Sequence, residues 1–197
     1  MNMSKMDSKK ISIIAVFTAL AVVLNMSPIK IPAPYAPFLF YQIWEIPIVA
    51  VTLLYGFNIG IIISVINTLI LLIVFPGALP TGPIYNLIAI LSMILGIYFN
   101  VKYLVARFDK QQEMMTTVFS TTTGIIMRVL VMTIVNWVFL PYPPPVGFSM
   151  PQEAITPLIP LIAFFNATLA LYTIPIGYAL NREVKKRGAL FYEAFQI

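Results

Sequence analysis

Four asparagines are the side chains of this sequence best suited to bind a small molecule, and each lies within or next to a long apolar segment. They are Asn25, Asn86, Asn136 and Asn166. Each amide offers two N–H donors and one carbonyl acceptor. Each could equally join two helices by a hydrogen bond. The segments assigned below place all four near one side of the molecule, beneath aromatic-rich loops, and this favours a cavity for a planar, mostly neutral, hydrogen-bonding ligand.

A single arginine, Arg128, lies near the middle of an apolar segment. A cation is costly in hydrocarbon unless it is paired, so a residue of this kind is structural or functional. Two interpretations stay open: an ion pair or clamp on helix-end carbonyl groups, and a role in gating or ligand binding. Glu45 is the carboxylate nearest to an apolar segment, but we expect it to lie higher, so the sequence does not assign a partner to Arg128.

The chain lacks most of the residue types and motifs that catalysis uses. It has no Cys and no His, which removes disulfides, thiolate nucleophiles, and the commonest metal ligand and general base. No pair of carboxylates lies within an apolar segment, and no G-x-x-x-x-G-K-[S/T] phosphate loop is present. We therefore predict that the protein is not an enzyme and has no cofactor or metal. Any energy from ATP would have to come through another chain.

The composition indicates which solvent surrounds these residues. The 197-residue chain is 60% hydrophobic and only 10% charged, and a soluble globule of this size cannot keep so much apolar surface out of water. We predict an all-α integral membrane protein that forms a compact bundle of six transmembrane helices. The predicted spans are residues 11–27, 44–56, 59–75, 83–103, 116–140 and 157–180.

The second and third spans must be separate helices. Residues 44–75 as one helix would run about 48 Å, against a hydrocarbon core of about 30 Å. Residues 56–60, with a glycine at each end, are the natural place for the break. The second span is too short to cross a bilayer alone unless it tilts or is extended by its flanks.

Basic residues indicate how the bundle is oriented. Ten of the twelve Lys and Arg lie in residues 5–10, 102–110 and 182–187. With six spans, all three segments fall on the cytoplasmic side of a multi-pass protein of the cell membrane. This flanking pattern also explains the net charge of +5, so we expect no nucleic acid as a partner. The predicted parts are a cytoplasmic N-terminus (1–10), a transmembrane substrate-binding domain (11–182) and a cytoplasmic tail (183–197).

The loops on the opposite side are rich in proline and aromatic residues, which are concentrated in residues 28–41 and 141–148. Proline limits backbone freedom, so such loops can hold a shaped lid at low entropic cost. The alternative is that they are ordinary helix stops with an interfacial aromatic belt. On the first span, Ala15 and Ala19 are four residues apart, a spacing that lets another helix approach closely.

Six short segments, spread over most of the chain, carry a family resemblance. They are Ala15-x-x-x-Ala19, Tyr35-Ala-Pro-Phe-Leu39, Tyr41-Gln-Ile-Trp-Glu45-Ile-Pro47, Gly82-Pro-Ile-Tyr-Asn86, Asn136-Trp137 followed by Leu140-Pro141, and Phe165-Asn166. Together they resemble the substrate-binding S components of energy-coupling factor (ECF) vitamin transporters, and among those the riboflavin-specific subfamily. The first segment resembles the motif through which S components contact a shared coupling subunit, which implies that Ala15 and Ala19 bind that partner.

The resemblance implies a function and a site. The function is that of the high-affinity substrate-binding subunit of an ATP-driven riboflavin importer, which works in the lipid bilayer with a coupling subunit and two ATPase subunits. Asn136 and Asn166 would hydrogen-bond the polar edge of the isoalloxazine ring. The first loop, including Phe38 and Leu39, would close over the ligand. The other positions implied to bind substrate are Tyr41, Glu45, Gly82, Asn86 and Trp137.

Two positions depart from the riboflavin pattern. The subfamily commonly has a Lys where this chain has Leu169, and often a polar residue where it has Pro83. Both changes remove polar contacts, so another flat vitamin or a nucleobase-like compound stays an alternative ligand. The alternative functions are a structural protein and a stand-alone facilitator or secondary transporter. A secondary transporter would usually need ionisable coupling residues or broken helices near the midplane.

Overall fold

The computed structural model describes residues 8–74, 79–104 and 113–194, and most of them are helical. The helices are α1 (Ser8–Met26), α2 (Glu45–Tyr55), α3 (Phe57–Val74), α4 (Gly82–Phe99), α5 (Glu113–Phe139), α6 (Gln152–Ile155) and α7 (Leu158–Ala194). A π-helical turn at Asn100–Leu104 continues α4. Two strands, β1 (Ile31–Ala33) and β2 (Ala36–Tyr41), lie between α1 and α2.

Four of the described helices are long and apolar enough to cross a membrane. These stretches are Phe57–Val74, Gly82–Tyr103, Met114–Phe139 and Leu158–Arg187. Helices α1 and α2 are apolar but shorter. The predicted class of helical membrane protein is therefore confirmed, whereas the count of six crossings and the side of each terminus stay predictions. Parts of the predicted cytoplasmic segments, at 1–7, 105–112 and 195–197, lie outside the described residues.

The predicted break between the second and third spans is present. Helix α2 ends at Tyr55, Gly56 has φ +98°, and α3 begins at Phe57. L side chains rarely adopt this φ, so glycine allows the chain to reverse direction without a longer loop. At Gly60, a Cβ would collide with the side chain of Thr52, which shows how closely α2 and α3 pack.

The distribution of polarity fits a protein surrounded by lipid. Large apolar side chains are exposed on the outside of the helices, and Val16 is 63%, Ile73 82% and Ile134 63% exposed. Many serine and threonine side chains, among them Thr52, Ser64 and Thr68, are buried instead. Each of these donates to the backbone carbonyl four residues earlier, as Ser64 donates to Gly60 at 2.8 Å. In lipid such internal bonds satisfy polar groups that water would otherwise satisfy.

Small residues hold the longer helices close together. A Cβ on Gly96 of α4 would lie 2.5 Å from the carbonyl oxygen of Thr123 and 2.9 Å from the Cα of Gly124 on α5. The apolar core lies between α2, α3, α4 and α7. Its fully buried members include Ile48, Val49, Ile63, Ile90, Met93 and Ile174. Because lipid is as apolar as this core, van der Waals packing at such contacts contributes most of the association between helices.

The first loop requires a correction to the predicted all-α fold. Strand β1 pairs antiparallel with β2, and Ile31 lies opposite Tyr41 while Pro32 lies opposite Phe40. The prolines of this segment exclude a helix, whereas its aromatic residues favour a strand. The loop is therefore a β-hairpin, whose side chains can cover the end of the bundle.

Helix α7 extends further than the predicted span. It continues to Ala194 rather than ending at residue 180. The charged residues that follow are good helix formers, and Lys186 donates to Glu183 at 3.2 Å on the exposed surface. The predicted tail therefore begins as a continuation of α7.

Candidate ligand-binding site

A cavity of about 570 Å³ lies at the end of the bundle that the hairpin covers. This volume is in the range of small-molecule binding sites. Its wall includes residues from α1, α2, α3, α4, α5 and α7, together with the hairpin and the loop before α6. The side chains of this wall include Asn25, Phe38, Leu39, Gln42, Trp44, Glu45, Pro83, Asn86, Arg128, Met132, Asn136, Phe148, Phe165, Asn166 and Leu169.

Arg128 forms a buried ion pair at this cavity. Its Nη1 donates to Glu45 Oε2 at 2.5 Å and its Nη2 donates to Glu45 Oε1 at 3.0 Å. Arg128 is 3% exposed and Glu45 2%. The two parallel bonds use the planar guanidinium in the geometry that best fits a carboxylate. The sequence left the partner of Arg128 unassigned, and the structure assigns Glu45, so the expectation that Glu45 lies higher is wrong.

The ion pair also orients an amide. Arg128 Nε donates to Asn166 Oδ1 at 3.0 Å, and Asn166 Nδ2 donates to the Ile162 carbonyl oxygen at 2.9 Å. A group that donates to Oδ1 and an acceptor for Nδ2 together define which way the amide faces. Because the charges of Arg128 and Glu45 compensate each other, this part of the wall is polar without a net charge.

Three other amides reach the cavity from three other helices. Asn136 on α5 is 6% exposed and donates to the Met132 carbonyl oxygen at 2.7 Å. This bond uses one of its two N–H groups, and the amide has further hydrogen-bonding capacity. Asn86 lies at the start of α4 and Asn25 at the end of α1. The predicted grouping of the four amides is therefore present in the structure.

Aromatic rings supply the flat surfaces of the cavity. Trp44, just before α2, is only 3% exposed and lines the wall. Phe38 of the hairpin lies over Phe148 of the last loop, with ring centroids 6.3 Å apart. The two loops therefore meet above the cavity, and Phe165 lines it from α7. Rings so placed offer stacking partners to a planar ligand.

Tyrosine hydroxyl groups attach the hairpin to α7. The hydroxyl oxygens of Tyr35 and Tyr41 are 2.6 Å apart, and that of Tyr41 is 2.8 Å from Thr168 Oγ1. Tyr172 donates to the Gln42 carbonyl oxygen at 2.6 Å. Burial and the hydrogen bond with Tyr41 raise the pKa of Tyr35 to about 12, so its hydroxyl stays protonated at neutral pH.

Most of the predicted substrate-binding residues line the cavity. Those that do are Phe38, Leu39, Glu45, Gly82, Asn86, Asn136 and Asn166. Tyr41 and Trp137 are not among the described residues of its wall: Tyr41 packs on Phe165 with ring centroids 4.9 Å apart, and Trp137 is 44% exposed on α5. The two positions that depart from the riboflavin pattern, Pro83 and Leu169, both line it.

Several lining residues were not predicted. Gln42 and Trp44 lie between Tyr41 and Glu45, two residues that were predicted to bind substrate. Their position in that segment was a usable signal. Met132 is one helical turn before Asn136, so its spacing was a usable signal. Phe148 belongs to the aromatic-rich loop at residues 141–148, which was predicted to be able to hold a lid, but no pattern distinguished Phe148 from its neighbours in that loop.

The predicted partner-binding residues lie elsewhere on the molecule. Ala15 and Ala19 are both on the exposed face of α1, while Ile14, Thr18 and Ala21 on the same helix are buried. In the part of the chain that the structure describes, no group of three or more His, Cys, Asp and Glu side chains could hold a metal ion.

Comparisons with known proteins bear on the fold. No protein-family model matches the chain, and no curated protein matches it either. Among solved structures, the chain is similar to the S component of a bacterial ECF transporter. The TM-score is 0.63 at 20% sequence identity, and the match covers 93% of this chain and 97% of the other. The two proteins therefore share a fold over nearly their whole length.

Proposed function

We propose that the chain is the substrate-binding subunit of an ATP-driven ECF vitamin importer and that its ligand is riboflavin. The S-component fold over 93% of the chain supports the class of protein. The observation that carries the proposal is the composition of the cavity wall, in which amide groups and aromatic rings surround about 570 Å³. A flat vitamin needs both kinds of group, since its edge forms hydrogen bonds and its faces stack.

The electrostatics of the cavity support a neutral ligand. Arg128 and Glu45 compensate each other in a bidentate pair, and neither charge is left over to bind an ionic substrate. The isoalloxazine ring of riboflavin is neutral and carries carbonyl and N–H groups along one edge. Asn136 and Asn166 present both donors and acceptors, so they can pair with such an edge.

The proposed mechanism divides the work between chains. The sequence holds no phosphate-cradling loop, so ATP hydrolysis belongs to separate ATPase subunits. The exposed face of α1 with Ala15 and Ala19 is the proposed contact for the coupling subunit, since small residues let another helix approach. This subunit would capture the vitamin beneath the hairpin, and the partner chains would supply the energy for its release.

The assignment of the site is tested by two substitutions. We expect Asn136→Ala and Asn166→Ala each to weaken riboflavin binding by about 1–3 kcal/mol, because each leaves a polar group of the bound ligand without its partner. The measurement is quenching of flavin fluorescence on titration of the purified protein. Asn181→Ala is the matched control, since Asn181 is a buried asparagine on α7, like Asn166, but is not among the residues that line the cavity.

The outcomes separate the site from the ligand. Unchanged affinity in both cavity variants would reject the site. A wild-type protein that ignores riboflavin but binds another flat vitamin, with the same loss in both variants, would correct the ligand and keep the class. In that case the apolar side chains of Pro83 and Leu169 are the first positions to examine.

A further inference from the structure

A lysine lies beside two tyrosine rings at the end of α4 that is remote from the cavity. Lys102 Nζ is 5.4 Å from the centroid of the Tyr98 ring and 5.2 Å from that of the Tyr103 ring. Both distances are in the range of a cation–π interaction. Among the described residues, ion pairs form at Arg128 and Lys186 and none forms at Lys102. The Lys102 charge therefore has aromatic neighbours but no described carboxylate that neutralises it.

Each of the two tyrosine rings packs on a further ring. Tyr98 stacks on Phe57 at the start of α3, with ring centroids 4.7 Å apart and an angle of 22° between the ring planes. Tyr103 packs on Phe99, with ring centroids 4.8 Å apart. Such ring pairs stabilise one relative arrangement, so the surroundings of Lys102 are preorganised. Lys102 and these four aromatic residues are called the Lys102 cluster below.

The π-helical turn that carries Lys102 is attached to α5 and α7. Asn100 at the start of the turn is 0% exposed, and its Nδ2 donates to Ser120 Oγ on α5 at 2.6 Å. Ser120 Oγ is in turn 2.7 Å from the hydroxyl oxygen of Tyr178 on α7. Turns of this type are rare and are frequently found at functional sites. The buried Asn100 fixes the backbone here, while Lys102 and Tyr103 stay exposed on the outside.

Lys102 lies at the depth of a membrane–water interface. The apolar stretch Gly82–Tyr103 is long enough to cross a membrane, and Lys102 is its last residue but one. Gly82, at the other end of the stretch, lines the cavity. The basic residues of the chain predict that the Lys102 end faces the cytoplasm, and the cytoplasmic leaflet is the one with a negative surface potential. Lipid phosphates therefore lie at the level of Lys102.

Three parts of an anionic phospholipid match this surface. Its negative charge attracts the Lys102 ammonium, and the two tyrosine hydroxyl groups can donate to phosphate oxygens. Its acyl chains can lie along the apolar outside of α4, where Leu95 is 41% and Phe99 57% exposed. We propose that the Lys102 cluster binds the headgroup of an anionic phospholipid. This site is remote from the cavity and goes beyond the proposed function.

The test compares two lipids with the same acyl chains, anionic phosphatidylglycerol and zwitterionic phosphatidylcholine. The purified, delipidated protein in neutral detergent is titrated with each lipid, and native mass spectrometry counts the bound molecules. We expect the wild type to bind the first phosphatidylglycerol about fivefold more tightly than phosphatidylcholine, since one lysine near the surface contributes about 1 kcal/mol. Lys102→Gln should remove most of this preference, and Lys102→Arg should keep it.

Two further variants separate the cluster from general surface charge. Tyr98→Leu combined with Tyr103→Leu keeps the Lys102 charge but removes two hydroxyl donors, and it should lower the preference by about twofold or more. Lys185→Gln is the matched control, because Lys185 is an exposed cation towards the same end of the bundle, on α7, and is not part of the cluster. It should keep the wild-type preference. Unchanged phosphatidylcholine binding shows that each variant is folded.

Three results would overturn the proposal. The first is equal binding of both lipids by the wild type, which would leave a protein partner as the occupant of this surface. The second is an equal loss of preference in Lys102→Gln and Lys185→Gln, which would show diffuse attraction to the whole basic end. The third is a full preference in the double tyrosine variant. The titrations need no riboflavin, so they test the Lys102 cluster independently of the proposed function.

Discussion

Arg128 forms the structural ion pair that the sequence left as one of two interpretations, whereas a role in gating or ligand binding stays a prediction. Its guanidinium is bidentate on Glu45, which is structural, and the same group lines the cavity and holds Asn166 Oδ1 at 3.0 Å. Glu45 is the first residue of α2, where the partial positive charge of the helix end also favours a carboxylate. The ion pair therefore joins α2 to α5 and positions an amide of the proposed site.

Removal of one partner of this pair should be costly. We expect Glu45→Gln to lower the free energy of unfolding by about 3–5 kcal/mol, because it leaves the Arg128 charge buried without compensation. The measurement is thermal or denaturant unfolding of the purified protein in detergent. Glu183→Gln is the matched control, since the Glu183–Lys186 pair is more than half exposed and should contribute under about 1 kcal/mol.

A double variant separates stability from positioning. Glu45→Leu with Arg128→Met removes both charges, so much of the lost stability should return. Asn166 would still lack the donor that holds its amide, and riboflavin affinity should stay below that of the wild type. Normal affinity in this double variant would show that the ion pair has no part in orienting Asn166.

At the residue scale, the sequence indicated which side chains belong to the site better than it indicated which side chains bond to each other. The amides could be grouped because successive spans run in opposite directions, so the last parts of the first and fifth spans lie on the same side of the bundle as the first parts of the fourth and sixth. The pairing of Arg128 with Glu45 could not be predicted, because the two residues are 83 positions apart in the sequence. Their relative depth depends on how α2 packs in the bundle. Buried atoms such as Asn25 Nδ2, which has no hydrogen-bond partner in the described part of the chain, are visible only once the packing is known.

Among the elements, the hairpin is the one with most influence on the proposed site. It covers the cavity with Phe38 and Leu39, and the Tyr41 hydroxyl bonds Tyr35 within the hairpin and Thr168 on α7. Tyr41 was predicted to contact substrate, and its position favours an indirect role, in which it fixes the strand that closes the cavity.

The hairpin contacts should therefore control ligand release. We expect Tyr41→Phe to increase the dissociation rate of riboflavin by roughly 3–10-fold, because each lost hydrogen bond contributes about 0.5–1.5 kcal/mol. Stopped-flow displacement of bound riboflavin measures this rate. Tyr55→Phe, at the exposed end of α2, is the control and should leave the rate unchanged. A Tyr41 variant that releases ligand at the wild-type rate would show that these bonds do not hold the hairpin closed.

Helices were easier to predict than the hairpin. Long apolar runs bounded by proline or glycine define a helix locally, and the break at Gly56 follows from the length limit that the bilayer sets. The hairpin depends on packing against α7, through contacts such as Tyr41 with Phe165, and a local pattern does not contain these. The extension of α7 to Ala194 was missed because hydropathy marks the end of a span rather than the end of a helix.

The described residues form a helical bundle with apolar residues outside and, at one end, a cavity lined by aromatic rings and amide groups. The S-component fold fits this arrangement, and the exposed apolar surface requires lipid around it. The distribution of basic residues predicts the orientation of the bundle in the membrane. It predicts that the hairpin end, where the cavity opens, lies away from the cytoplasm.

Cysteine labelling tests this orientation, because the chain has no cysteine of its own. Glu153 in α6 and Glu183 in α7 are both exposed and lie towards opposite ends of the bundle. We expect a membrane-impermeant reagent outside intact cells to label Glu153→Cys and not Glu183→Cys. The reverse pattern would mean that the bundle is inverted and that the proposed capture from outside is wrong.

The most direct test of the central claim is a riboflavin titration of the wild-type protein, purified without added ligand. The cavity predicts saturable binding of one riboflavin per chain, with quenching of flavin fluorescence as the ring stacks against aromatic side chains such as Trp44. Absence of saturable binding, with flavin fluorescence unchanged at a severalfold excess of protein, would contradict it.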